Sequence, residues 1–502
     1  MKPMLPSHAS LRTKTGCLTC RKRRKKCDEQ RPKCGGCAAS QRACTWPTID
    51  LLVDRRNRPR HALPLRSDTG RNNFEQASGA TCLATTGSPL LGAGSEIVLR
   101  TLGPDLEVAI ARHFVDEYYP RLISLDCDQQ FRLEWLRSIQ ESMPHCAGLR
   151  YSVLANAASH LFLAGQSSRM QDLALHYYTR SLRGLSTAIS QSDTNEWKCG
   201  KNDILTSMIF LYLHGNMGSG TYDDRSTHVN AAVQVLERRF FRPGANNQLQ
   251  QATDRLVVES VIYQIFQLEM GFWSNCPGKD LAYHFDPRFW LKCERLLRGS
   301  STSPELVDAS ISPVLGIPMS VYKMMLMIRR LWIMDPRPPD FYDSLNQLEA
   351  ELSTWTQSEM LQCEDKKSVV SCQSPTLAPS HSIAGHATTI MVNCASLLLD
   401  QLRGQPLAFP VAAAHEKYGG QLNKIVSILR SRKGDRHWTS CHVGTYPIYV
   451  AGYFMRSEEE IDLVRTEMQQ RFENLHWGQV SRYWSDLEIV WRRTTRNVST
   501  VH

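Results

Sequence analysis

The chain has no long apolar run. Its most apolar stretch, Ile204 to Leu213, falls short of the roughly 18–20 apolar residues that a membrane-crossing helix needs. The first ten residues, MKPMLPSHAS, lack the apolar core of a secretory signal. Several enzyme signatures are broken. His415-Glu416 has Gly419, not histidine, one turn on, so a zinc-protease motif fails. Gly200-Lys201 and Gly278-Lys279 run into Asn202 and Asp280 and complete no phosphate-binding loop. Gly215, Gly218 and Gly220 are spaced wrongly for a dinucleotide turn and read instead as a turn between helices. No Cys-x-x-Cys pair occurs after Cys44, so the ten later cysteines read mostly as reduced, buried small residues. The sequence offers no membrane span and no enzyme.

What is present is concentrated at the N-terminus. Residues 1–60 hold 16 Lys and Arg against 4 Asp and Glu, while the whole chain holds 59 against 49. The formal charge of +10 is therefore local, and the rest of the chain is slightly acidic. A localised excess of this kind is the footprint of phosphate binding, not of a generally basic coat.

The excess surrounds six cysteines: Cys17, Cys20, Cys27, Cys34, Cys37 and Cys44. Their spacing is one half-motif written twice, and Arg21, Lys22, Arg23, Arg24, Lys25 and Lys26 fill the gap between Cys20 and Cys27. Apart from cysteine, residues 17–44 offer only Leu18, Ala38, Ala39 and Ala43 as apolar side chains, too few to fold unaided. Metal–thiolate bonds can supply the missing stability, and zinc takes four such ligands in a tetrahedron. No histidine lies in the segment to serve as a ligand. Six thiolates close one site with two left over, or two sites if two cysteines bridge. A disulfide framework, a zinc ribbon or RING finger, and an iron–sulfur site all fit the location or the spacing less well.

The run Gly16-Cys17-Leu18-Thr19-Cys20-Arg21-Lys22-Arg23-Arg24-Lys25-Lys26-Cys27-Asp28-Glu29, followed by Pro32 and the Cys34/Cys37 pair, resembles the fungal zinc binuclear cluster, the DNA-binding domain of fungal transcription regulators. The resemblance implies two zinc ions per chain. Cys17 and Cys34 would bridge them, Cys20 and Cys27 would complete one site, and Cys37 and Cys44 the other. Pro32 matches the loop proline of that family, often a cis peptide. The family's base contacts fall at Arg23 and Arg24, with an arginine where many relatives have lysine, and imply a G-rich, CGG-like triplet. Arg suits that task because it can donate twice to the guanine edge. The remaining cations are expected on phosphates, and the same run can also serve nuclear import.

The expected organisation is a disordered N-terminus over 1–15, the cysteine module over 16–46, a linker over 47–101 and a large all-α body over 102–502. The linker carries Pro59 and Pro64 and no three-heptad apolar seam, so it predicts no coiled coil and a monomeric N-terminal fragment. In the body, apolar residues recur at helical spacing: Ala174, Tyr178, Leu182, Leu185 and Ile189, and again Val480, Trp484, Leu487 and Trp491. Residues 203–214, 226–240, 252–272, 317–334, 341–355 and 388–403 also read as helices. Ser457 with Glu460 forms a capping box that opens a helix over 458–472. Residues 358–383, rich in Ser, Pro and Lys, read as a loop.

This body resembles the second type of fungal-specific transcription factor domain at His176-Tyr177-Tyr178, at Pro447 to Gly452 and at Leu487 to Arg493. The two resemblances together imply a nuclear, sequence-specific regulator of transcription by RNA polymerase II. Its partners would be double-stranded DNA and the transcription machinery, with self-association through the helical body.

Overall fold

A computed structural model describes residues 17–44 without 24, 26, 29 and 31–32, and residues 106–499 without 166–167, 192–200, 219, 243–248, 250–251, 274–285, 300–311, 335–336, 338, 369–381 and 405–414. The expectations for the N-terminal segment and the linker, together with Pro32, Gly200, Gly278, Lys279 and Asp280, lie outside these residues. The chain divides into two units, residues 1–86 and 87–502.

Two five-residue helices form the first unit's described part: α1, Leu18–Lys22, and α2, Gly35–Ala39. The expected helix near Cys17 is α1. Its copy α2 follows at the same place in the second half-motif.

The second unit is helical, with no strand among the described residues. It opens with α3, Leu106–His113, which runs into a wider π turn, Phe114–Tyr118, and a 3-10 turn, Tyr119–Arg121. Then come α4, Gln129–Ser142; α5, Ala147–Gly165; α6, Ser168–Gln191; α7, Lys201–Asn216; α8, Arg225–Phe240; and α9, Ala252–Met270. α10, Pro287–Gly299, α11, Met319–Ile333, α12, Phe341–Ser368, and α13, Ile383–Arg403, lead to α14, His415–Ser431. The last elements are α15, Arg436–Thr439; α16, Thr445–Gly452; α17, Glu458–Leu475; and α18, Gly478–Ser499.

The helices at 203–214, 226–240, 252–272, 317–334 and 388–403 are present within a few residues of the expected ends. Gly218 and Gly220 take positive φ (91° and 81°) in the turn between α7 and α8, a conformation glycine adopts without steric cost. The capping box is complete. Ser457 Oγ accepts from the Glu460 amide, and the Glu460 carboxylate accepts from the Ser457 amide. α5 and α6 cross where Gly148 meets Gly184. A Cβ on Gly184 would lie 2.7 Å from the Gly148 nitrogen, so only glycine allows this approach.

Three expectations need correction. The helix expected to stop near 355 continues to Ser368, because Glu, Met, Leu, Gln and Lys in 357–367 favour helix despite their polarity. The loop expected over 358–383 is thus helical over its first part. On α6, Ala174, Tyr178 and Leu185 are buried, but Leu182 and Ile189 are exposed, so the apolar stripe is wider than the surface that covers it. The expectation that no stretch approaches membrane-spanning length overlooks α13. α13 is long and apolar enough to cross a membrane, yet its apolar residues are buried against α11, α12, α14 and α16 within the body. As expected of most of the later cysteines, Cys127, Cys293, Cys394 and Cys441 are free and buried; Cys146 is disulfide-bonded.

Candidate metal centre and nucleic-acid interface

The repeat in the sequence becomes a repeat in space. The Cys17 amide donates to Cys27 Sγ and the Cys34 amide to Cys44 Sγ, both at 3.4 Å. The Cys20 amide donates to Cys17 Sγ at 3.3 Å, and the Cys37 amide to Cys34 Sγ at 3.4 Å. Each half-motif thus turns one helical loop around its own first sulfur. Short helices are marginal alone. Here the helices pack on sulfur instead: Cys17, Cys20, Cys34 and Cys37 form the module's buried core, with Cys27 and Cys44 against it.

The sulfurs fall into two sets of four, Cys17, Cys20, Cys27 and Cys34, and Cys17, Cys34, Cys37 and Cys44, each within 4.8 Å of one another. Cys17 and Cys34 belong to both sets. Cys17 Sγ lies 3.6 Å from both Cys34 Sγ and Cys37 Sγ, and Cys20 Sγ lies 3.6 Å from Cys34 Sγ. A tetrahedron with zinc–sulfur bonds of about 2.3 Å has edges of about 3.8 Å, so these sets fit a zinc ion. Among the described residues no other group of three or more His, Cys, Asp or Glu side chains could hold an ion.

The thiols alone cannot all ionise. Burial pushes Cys17 up, but the Cys20 amide and the Cys20, Cys37 and Cys34 thiols bring it down to about 6. Cys20 is pushed up to about 12, chiefly by its hydrogen bond with Cys17. Burial, reinforced by the neighbouring sulfurs, raises Cys34. One thiolate suppresses the next, and a bound dication removes that limit by holding its ligands deprotonated.

Contacts that the cysteine spacing did not announce tie the halves together. Thr19 Oγ1 donates to the Ala43 carbonyl at 2.8 Å, and the Gly35 amide donates to Asp28 Oδ2 at 2.8 Å. Asp28 directly follows Cys27, and its place there is the one local sign of this contact.

Of the six cations, Arg23 and Lys25 are exposed. Arg23 Nη1 donates to Ser40 Oγ at 3.3 Å, a contact the charge pattern gave no sign of. The backbones of Arg21 and Lys22 lie in α1, and Arg24 and Lys26 lie outside the described residues. The first half-motif therefore carries its cations on and just after a helix anchored by sulfur.

Residues 15–50 match the fungal Zn(2)-Cys(6) binuclear cluster domain, and residues 110–502 match the fungal specific transcription factor domain. Transcription factor lfc1 of Flammulina velutipes is 49% identical over 55 residues, 11% of this chain and 17% of that protein. White-opaque regulator 2 of Candida albicans is 64% identical over 33 residues, 7% of each chain. Transcription activator AMTR1 of Alternaria alternata is 56% identical over 34 residues, 7% of this chain and 4% of that one. The chain thus spans less than a fifth of the length of these curated relatives. No solved structure matches it. With the cluster domain at its N-terminus and the second domain over most of its length, this chain belongs to the fungal zinc cluster transcription factors.

Proposed function

We propose that the module, residues 16–46, binds two zinc ions through its six thiolates and presents α1 to the major groove of double-stranded DNA. The observation that carries this reading is the pair of four-sulfur sets that share Cys17 and Cys34. Arg23 and Arg24 read base edges in a CGG-like, G-rich site, and Arg21, Lys22, Lys25 and Lys26 hold phosphates. The exposure of Arg23 and Lys25 supports a face open to nucleic acid. The linker over 47–101 joins the module to a regulatory body over 102–502. The chain acts in the nucleus as a sequence-specific regulator of transcription by RNA polymerase II, and not as an enzyme.

One short module discriminates poorly, because phosphate contacts alone give only about 10⁻⁴ to 10⁻⁶ M affinity at physiological salt. Self-association of the body, which holds most of the apolar surface, supplies the second contact and the approach to the transcription machinery.

A DNA-probe shift over a salt series tests the base-reading assignment. Arg24→Ala is expected to weaken the preferred site by roughly 1–3 kcal/mol and relax base preference. Lys25→Ala is expected to weaken all sequences alike and lower the salt slope. If Arg24→Ala leaves affinity and preference intact, the assignment is wrong. If no sequence is preferred at any salt, the module is an import signal or a scaffold.

A further inference from the structure

The helical body encloses a cavity of about 70 Å³, walled by α7, α9, α16, α18 and the turn around Tyr118 and Leu122. Not one of its lining residues is Asp, Glu, Lys or Arg. Six are aromatic rings: Tyr118, Trp135, Tyr212, Tyr263, Trp477 and Tyr483. Such a wall rejects a charged guest, because a buried ion needs a partner of opposite charge. It accepts a ring, whose preferred contacts are other rings edge-on or offset.

The wall is also polar in a specific way. Tyr212, Gln264, His442 and Trp477 all line it, and each carries a buried atom with no hydrogen-bond partner: Oη, Oε1, Nδ1 and Nε1 respectively. The other ends of two of these side chains are fixed. Gln264 Nε2 donates to the Ile209 carbonyl at 3.2 Å, and His442 Nε2 lies 2.8 Å from the Val314 carbonyl. With Nε2 donating, the imidazole leaves Nδ1 as an acceptor. The set thus combines two acceptors, one donor (the indole N–H) and the Tyr212 hydroxyl, which can do either. Unpaired buried polar atoms are rare and costly in a folded core. Four around one cavity point to a guest that can both give and take a hydrogen bond. A hydroxyl does both.

We propose that this cavity is a binding site for a small uncharged aromatic molecule carrying a hydroxyl group, of single-ring, phenol-like size. This site is separate from the cysteine module, so its test is independent of DNA and zinc. Water is the competing guest, because the volume holds a few waters at about 10–15 Å³ each.

The test titrates the full chain with 4-fluorophenol and follows the probe by ¹⁹F NMR. One saturable site is expected, with fluorobenzene at least about tenfold weaker and 4-fluorobenzoate not bound. Ser260→Phe, which fills the cavity from α9, is expected to reduce affinity at least about tenfold while circular dichroism keeps its helical signal. If that variant does not fold, Leu213→Trp fills the cavity from the half-buried side of α7 and is read the same way. Absence of saturable binding up to millimolar probe would mean that the cavity holds water alone and would overturn the proposal. Binding undiminished in the folded variants, or equal for phenol and fluorobenzene, would overturn it as well.

Discussion

Between Cys17 and Cys44 the buried apolar side chains are all cysteines; between Leu106 and Ser499 they are mostly Leu, Ile, Val, Met, Ala and aromatic residues. In the first region a helix is five residues long and turns about a sulfur. In the second, helices of up to 28 residues bury faces against each other. A segment without a hydrocarbon core depends on bonds to an ion for its fold, so its ligands are all-or-none. A body with a large core spreads its stability over many contacts, so single losses are partial. The comparison teaches where the chain can be broken cleanly and where it can only be weakened.

The largest effect is expected at a shared sulfur. Cys17→Ser should remove ligands from both sets at once and forfeit metal-linked folding of the order of 10–16 kcal/mol. Metal analysis should find the module empty and DNA binding lost. The body's helical signal and melting transition should be unchanged, and a body that melted with the module would break the comparison.

Acid sharpens it from the other side. Burial holds His113 and His442 down at about 4 and His160 well below its ordinary value. Their unfolded value is near 6.5, so the folded body keeps these rings neutral while the unfolded chain takes up protons. Their contribution is full above about pH 6.5 and is lost as pH falls toward about 4. Melting temperature of the zinc-free protein across that window should therefore fall with pH. A flat profile would mean that the rings are protonated in the folded state.

Much of this division was legible in the sequence, and the reason differs between regions. Ligand spacing is local, so the six cysteines foretold the repeat before any coordinates did. Helical periodicity and the Ser457–Glu460 pair are local as well, and α17 begins where they require. Cover is not local. Periodicity puts Leu182 and Ile189 on an apolar face, but nothing in the sequence states that they stay exposed. The close approach of Gly148 to Gly184 and the cavity beneath Gln264 and His442 join residues tens to hundreds of positions apart, and no motif encodes them. The extension of α12 to Ser368 is not legible locally, because a polar stretch of helix formers next to Ser and Pro also suits a loop.

The smallest effect is expected at the capping box. Ser457→Ala should cost the body about 1 kcal/mol, seen as a modest drop in its melting temperature. Zinc content and DNA affinity should not move. A loss of metal in this variant would show that the two regions are not independent.

The most direct measurement is the zinc stoichiometry of the intact chain by native mass spectrometry, paired with alkylation mapping of its thiols. The account predicts two zinc ions per chain and protection of Cys17, Cys20, Cys27, Cys34, Cys37 and Cys44 together, released together by a chelator. One zinc ion with two of those six thiols open to alkylation would contradict it.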